Sequence, residues 1–189
     1  DSVYEVMLGE ISLRDAAVAS SASPDLLCVP ATIDLAGAEI ELVSMVAREA
    51  RLAQALTEEA LAELDVDYVL IDCPPSLGLL TVNALVAASE VLIPIQCEYY
   101  ALEGLGQLLS NIDLVRSHLN TSLHVSTILL TMYDGRTKLA DQVTSEVRQH
   151  FGPTALRTVI PRSVKVSEAP GYSQTCLLYT SPSPRDATL

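Results

Sequence analysis

Residues 67–83 read DYVLIDCPPSLGLLTVN, and the order of residue types within them sets the expectation for the whole chain. Tyr68, Val69, Leu70 and Ile71 form an uninterrupted β-favouring apolar run, the pattern of a strand buried on both faces of a parallel sheet. Asp72 ends the run. Pro74 and Pro75 cannot donate to a ladder and hold their neighbours extended, so a turn is expected before residues 77–88, whose apolar spacing is helical. Ligands of open α/β sheets collect beyond the carboxyl ends of the strands, which places the Asp72 carboxylate within reach of a cation or a phosphate. An acid at that point also serves to start a turn or cap the next helix, and this stretch alone leaves both readings open.

Outward from this stretch, strand and helix alternate. On the N-terminal side the apolar spacing predicts helical segments at 3–8 and 11–17 around a turn at Gly9. A loop over 20–24, a short buried strand over 26–30 and a turn over 32–37 follow. Helix is predicted over 38–64, with a break at Ser44. On the C-terminal side a strand is expected at 91–95, with Pro94 placing it at a sheet edge or a bulge. An amphipathic helix over 101–118 turns Leu102, Leu105, Leu108, Leu109, Ile112 and Val115 inward. A strand over 125–131, a helix over 139–151 and a last strand over 158–160 complete the alternation. The pattern reads as an α/β fold, a doubly wound, mostly parallel sheet with helices on both faces.

A chain of 189 residues with 49% hydrophobic content can bury one core, so a single domain is expected. It has no uncharged apolar run of about 18 residues and no basic-then-apolar leader, which reads as a soluble protein. Cys28, Cys73, Cys97 and Cys176 are widely spaced with no CxxC pair, which suits a reducing cytoplasm rather than a zinc cluster or disulfide framework. His118, His124 and His150 lack metal-ligand spacing and read as surface residues. The net charge of −13 is uneven: residues 1–133 hold 4 basic and 19 acidic side chains, residues 134–168 hold 6 basic and 4 acidic. Fields become local beyond about 10 Å at moderate salt, so the second segment can still meet nucleic-acid phosphates despite the acidic total.

An apolar run ending in Asp is the sequence form of a Walker B element, whose carboxylate holds a Mg²⁺ ion that itself binds nucleotide phosphates. The string IDCPPSLGLLTVNAL, followed by VLIPIQCEYYALEGL, resembles the ParA/Soj family of chromosome- and plasmid-partition ATPases, part of the deviant P-loop group. PATIDLAGAEIELV upstream, and LLTMYDGRTKL and TVIPRSVKVSEAP downstream, are similar to the same family in the same order. The resemblance covers about residues 3–175. It implies a P-loop NTPase-like fold, ATP and Mg²⁺ as cofactors, and a homodimer closed by ATP. It further implies non-specific DNA and a centromere-binding protein of the ParB type as partners, no membrane, and a cytoplasmic, nucleoid-associated location.

The family cradles phosphate in a KGGxGKT loop. None of the 8 glycines here stands in a GxxxxGK pattern, and neither Lys138 nor Lys165 follows a Gly-rich turn. In the family that loop, the first strand and the first switch lie N-terminal to the point matched by Asp1. Residues 1–176 are therefore expected to form a partial ATPase domain lacking the first strands and the P-loop, without ATP turnover of its own. Residues 177–189, LLYTSPSPRDATL, are rich in Ser, Thr and Pro with no apolar period, and read as a disordered, non-native tail where the family continues into a helix.

The resemblance assigns Asp72 to Mg²⁺, through a bound water, and Pro74, Pro75 and Ser76 to the second switch that senses the γ-phosphate. Ser76 also reads as a helix N-cap, and Cys73 as a packing residue. Residues 96–100 are expected at the ligand edge or a subunit interface, or else as cover for the core. Thr131 and Met132, with Pro161, Arg162 and Val164, are implied to flank the adenine base, as flat apolar surfaces suit it; ordinary turns are the plainer reading. Arg136, Lys138 and Lys165 are implied to touch DNA, and solvated surface charge is the plainer reading there. Three other functions compete: a cell-division-site or cargo-positioning ATPase of the same superfamily acting at the membrane, a redox ATPase related to nitrogenase iron protein, and a nucleotide-free interaction module. The cysteine spacing disfavours the redox ATPase, and the DGRTK turn favours DNA over membrane.

Overall fold

Ser2 and Glu5 begin the first helix. The Ser2 hydroxyl accepts from the Tyr4 N–H at 3.2 Å and the Glu5 carboxylate accepts from the Ser2 N–H at 2.8 Å, a capping box that opens α1 (Val3–Leu8). The computed structural model describes residues 1–74, 76–99, 101–177 and 179. The chain divides into two units, one made of residues 1–91 and 105–126, the other of 92–104 and the chain from 127 onward.

In the first unit α1 ends on Gly9, whose φ of 81° only glycine adopts freely. A side chain there would also meet Arg51, which reaches over to donate to the Met7 and Leu8 carbonyls at 2.9 Å each. Gly9→Ala is therefore expected to lower stability by about 1 kcal/mol or more, measured by urea denaturation. A change within error would show that the turn is not held. Ser12 caps the short α2 (Leu13–Ala16), and two-residue strands β1 (Val18–Ala19) and β2 (Leu27–Cys28) pair antiparallel. The buried strand expected over 26–30 is thus reduced to two residues, with Cys28 exposed and Leu26 half in solvent, because its partner strand is equally short.

The helical stretch expected over 38–64 begins earlier, as α3 (Leu35–Leu42). It breaks where Ser44 was expected to break it: the Ser44 hydroxyl bonds back to the Glu41 carbonyl at 3.0 Å, competing with the backbone ladder. A 3₁₀ turn (Arg48–Ala50), α4 (Arg51–Ala55) and α5 (Glu58–Leu64) follow. Val6, Leu13 and Ala16 make one buried cluster, and Met7, Ala38 and Leu42 another. Asn83 of α6 (Leu79–Ala87) is fully buried and ties three segments: its amide donates to the Arg48 and Leu79 carbonyls and accepts from the Leu52 N–H.

The strand expected at 68–71 does not form. These residues carry no strand assignment, and Tyr68 and Leu70 are 89% and 93% exposed. A β segment is stable only when its N–H and C=O groups have a neighbouring ladder, and no described segment pairs with this one. Residues 68–71 have the sequence of an interior strand and the surroundings of a loop.

The second unit is built on a three-stranded sheet of order β3 (Glu90–Gln96), β4 (His124–Tyr133), β5 (Ala155–Pro161), with β4 and β5 parallel. β3 is an edge strand, so Pro94 costs no interior ladder bond. α8 (Lys138–Phe151) and α9 (Val164–Glu168) are the helices that follow β4 and β5, whereas α7 (Ala101–His118), which follows β3 in the chain, belongs from Leu105 onward to the first unit. α8 is strongly amphipathic: Ala140, Val143, Thr144 and Val147 are buried at helical spacing, and Thr137 caps its start. With Ile93, Ile95, Ile128 and Leu130 from the strands they are among the buried residues of this unit. The architecture is α/β, a parallel sheet with flanking helices. Pro75, Tyr100 and, apart from Leu177 and Tyr179, the expected tail at 177–189 lie outside the described residues.

Candidate functional site at the carboxyl ends of the strands

β4 and β5 run parallel, so their carboxyl ends deliver two loops to the same edge. Tyr133 and Pro161 are register partners, and the Arg162 N–H donates to the Tyr133 carbonyl at 2.9 Å. This brings Thr131 and Met132 beside Pro161 and Arg162, four of the five residues expected around a base. Met132 has a φ of 52°, uncommon for a side chain of its size, and such outliers collect at ligand sites. The Thr131 hydroxyl donates to the Ile95 carbonyl at 3.2 Å, which fixes it against β3. Val164 opens α9 and is 69% exposed, leaving an apolar surface beside the same loop.

β3 adds a third exit. Cys97 is buried, its thiol 3.8 Å from the Thr144 hydroxyl, so it packs inward rather than facing a ligand or a second subunit. Glu98 turns the other way and accepts from the Arg162 guanidinium at 2.6 Å. Tyr99 is largely exposed, beside a cleft of about 730 Å³ lined also by Leu102, Leu139, Val143 and Glu146.

The loop after β4 is an acid-led turn. Asp134 accepts from the Arg136 backbone N–H at 3.1 Å and takes its guanidinium in a fork, Nε at 2.9 Å and Nη2 at 2.7 Å. The Arg136 guanidinium holds the Asp134 carboxyl down at about 2, with Arg162 adding a smaller pull. Lys138 at the start of α8 and Lys165 on α9 are exposed. The three expected DNA-contact residues are thus all at the surface, and one of them is paired.

In the first unit Asp72 and Pro74 lie exposed, outside any helix or strand. Among the described residues Asp72 has no hydrogen-bond partner, and no group of three or more His, Cys, Asp or Glu side chains is placed to hold a metal ion. A single free carboxylate fits Mg²⁺, which takes one or two carboxylates when phosphates and water supply the rest. Desolvation, with the Asp72 charge beside it, pushes the Cys73 thiol up, away from nucleophilic character. Ser76 does not cap the following helix: the N-cap is Gly78, and its place is taken by Glu39 of α3, whose carboxylate accepts from the Leu80 N–H at 3.4 Å and fills the space a side chain at Gly78 would occupy. Thr81 ties the turn by donating to the Ser76 carbonyl at 2.6 Å. His118, His124 and His150 are exposed, as expected. Sequence reading missed Glu98 and Asp134 as partners of the arginines. The signal for Asp134 was present, since Asp two residues before an N–H donor is an Asx-turn pattern. For Glu98 there was none, because its partner is 64 residues away.

Among the described residues no helix is long and apolar enough to cross a membrane. A family model described as an AAA domain matches residues 1–125. The sporulation initiation inhibitor protein Soj of Bacillus subtilis is 51% identical over 94% of this chain and 68% of its own length. The chromosome partitioning protein ParA of Caulobacter vibrioides is 49% identical over 94% of this chain and 66% of its own. A solved structure of cobyrinic acid a,c-diamide synthase from Mycobacterium smegmatis, with bound ATP analog and magnesium, superposes with a TM-score of 0.75 at 41% identity over 86% of this chain and 65% of that one. The chain spans about two thirds of the length of these relatives. With about half of its residues identical to Soj and ParA over 94% of its length, the chain belongs to the ParA/Soj family of chromosome-partitioning ATPases.

Proposed function

We propose that this chain is the sheet-and-switch portion of a partition ATPase that binds ATP with Mg²⁺, closes a homodimer on it, coats DNA without regard to sequence, and is released by a ParB-type centromere-binding partner. The observation that carries the reading is about 50% identity to Soj and ParA over 94% of the chain. Asp72 would hold Mg²⁺, through a water, beside the switch at Pro74, Pro75 and Ser76. Thr131, Met132, Pro161, Arg162 and Val164 would flank adenine, and Arg136, Lys138 and Lys165 would meet DNA phosphates. The group these residues receive supplies the phosphoanhydride to be cleaved. The chain's part is to orient it, since phosphoryl transfer needs positioning and charge stabilisation more than covalent chemistry.

The 189 residues contain no Gly-rich phosphate loop, so these residues alone are expected to show no measurable ATP turnover. A chimera carrying the phosphate-loop segment of the Bacillus subtilis relative ahead of Asp1 is expected to retain duplex DNA only with ATP present. Retention should fall with salt and disappear in Arg136→Ala, read by filter binding. Equal retention by the mutant removes that residue from the interface, and Asp72-dependent hydrolysis by the chain alone would overturn the division of labour proposed.

A further inference from the structure

Of the basic side chains at the strand-end edge, two are already neutralised by acids of the same unit: Arg162 by Glu98, and Arg136 by Asp134. The second pair has an uneven construction. Asp134 is the anchored member. Its side chain is 22% exposed, its carboxylate also accepts the Arg136 backbone N–H, and its carbonyl takes both the N–H and the hydroxyl of Thr137 at 3.0 Å each. Arg136 is the loose member, 88% exposed. Its Nη1 has no partner among the described residues.

We propose that Asp134 is a built-in competitor for Arg136, a carboxylate that a DNA phosphate must displace before that arginine can bind. The inference rests on the DNA contact read for Arg136 above. A guanidinium forked to a carboxylate and one forked to a phosphate use the same two N–H donors, so the two anions exclude one another at Nε and Nη2. While the pair is closed the loop carries no net charge at this point and releases no counterion from DNA. An exposed ion pair is marginal in water, so the exchange is easy, and it keeps Arg136 from holding DNA tightly. The anchored acid recaptures the arginine when DNA leaves. Gly135 between them supplies the short turn that lets an acid reach an arginine two residues on.

Asp134→Asn separates the two functions of the acid. The amide oxygen still accepts the Arg136 N–H and keeps the turn, while the competing charge is gone. The test uses the phosphate-loop chimera described above with ATP present, a fluorescent duplex of random sequence, and a salt titration on the unsubstituted chimera and its Asp134→Asn, Arg136→Ala and double variants, with melting temperatures as a folding control. Asp134→Asn is expected to bind about fivefold more tightly at low salt, and to steepen the slope of log K against log salt by about 0.9, one extra phosphate neutralised. Arg136→Ala in the same chain should erase both gains. A second readout needs no DNA: the Arg136 Nε–H, followed by NMR, should be protected from water exchange in wild type and released in Asp134→Asn. If Arg136→Ala weakens binding while Asp134→Asn binds like wild type, the competitor role is overturned and the DNA reading stands. If Asp134→Asn frees the Nε–H but no variant binds duplex, the DNA reading falls and takes the competitor role with it. An Nε–H already exchanging freely in wild type overturns the inference directly.

Discussion

Replacing Asn83 by alanine is expected to lower the stability of the chain by about 2 kcal/mol, since it leaves a buried donor and a part-buried acceptor without their partner. Asn83 has no exposed surface, and both ends of its amide are in use: Nδ2 donates at 2.8 Å to Arg48 and 2.9 Å to Leu79, and Oδ1 accepts at 3.1 Å from Leu52. Alanine orphans the buried Leu52 N–H at the start of α4 and removes the amide partner of the part-buried Arg48 carbonyl at the 3₁₀ turn. Leu79 keeps its helical bond and loses little. Asn83→Asp should be at least as damaging at neutral pH, because a second acceptor would then face the Arg48 carbonyl where the amide donated. Urea denaturation of both variants checks this, and a loss under about 1 kcal/mol for alanine would show that the network is not what joins α6 to the 3₁₀ turn. The consequence reaches the proposed switch at residues 74–76, because α6 follows that turn in the chain.

The legibility of this fold in its sequence differed by element for physical reasons. The amphipathic spacing of α7 and α8 was readable because burial repeats on the same face turn after turn: Leu105, Ile112 and Val115, then Ala140, Val143 and Val147, are all buried. Pro94 correctly marked an edge, since its missing N–H excludes an interior strand wherever it stands. The stretch 68–71 misled in an instructive way. Four apolar residues report what a segment would bury given neighbours, but strand formation depends on a ladder from elsewhere, and here Tyr68 and Leu70 remain in solvent. Residues 131–132 and 161–162 were grouped through family resemblance, and their adjacency in the structure follows from the parallel pairing of β4 with β5. The cap of α6 was misassigned to Ser76 because a sequence shows the hydroxyl but not the carboxylate of Glu39 arriving from 41 residues away.

Leu130→Ala should cost about 3 kcal/mol, within the range for large-to-small changes at sites that cannot collapse, whereas Val46→Ala, at a side chain 89% exposed, should stay within about 0.5 kcal/mol. Leu130 has no exposed surface and sits where the register between β4 and β5 shifts, so the strand there is already irregular and depends on packing for its position. The next three residues, Thr131, Met132 and Tyr133, form the carboxyl end of β4: Thr131 is bonded to Ile95 and Cys97, and the Tyr133 carbonyl holds the Arg162 N–H. A cavity under Leu130 should therefore loosen those bonds before the helices feel it. Amide exchange at Arg162 and Cys97, whose N–H groups both bond to β4 carbonyls, should accelerate more than exchange in the middle of α8. Uniform acceleration across the unit would mean that Leu130 supports the whole core equally. Selective acceleration at the two strand exits would make the side chain beneath β4 the element that keeps Met132 in its left-handed conformation and the two loops in contact.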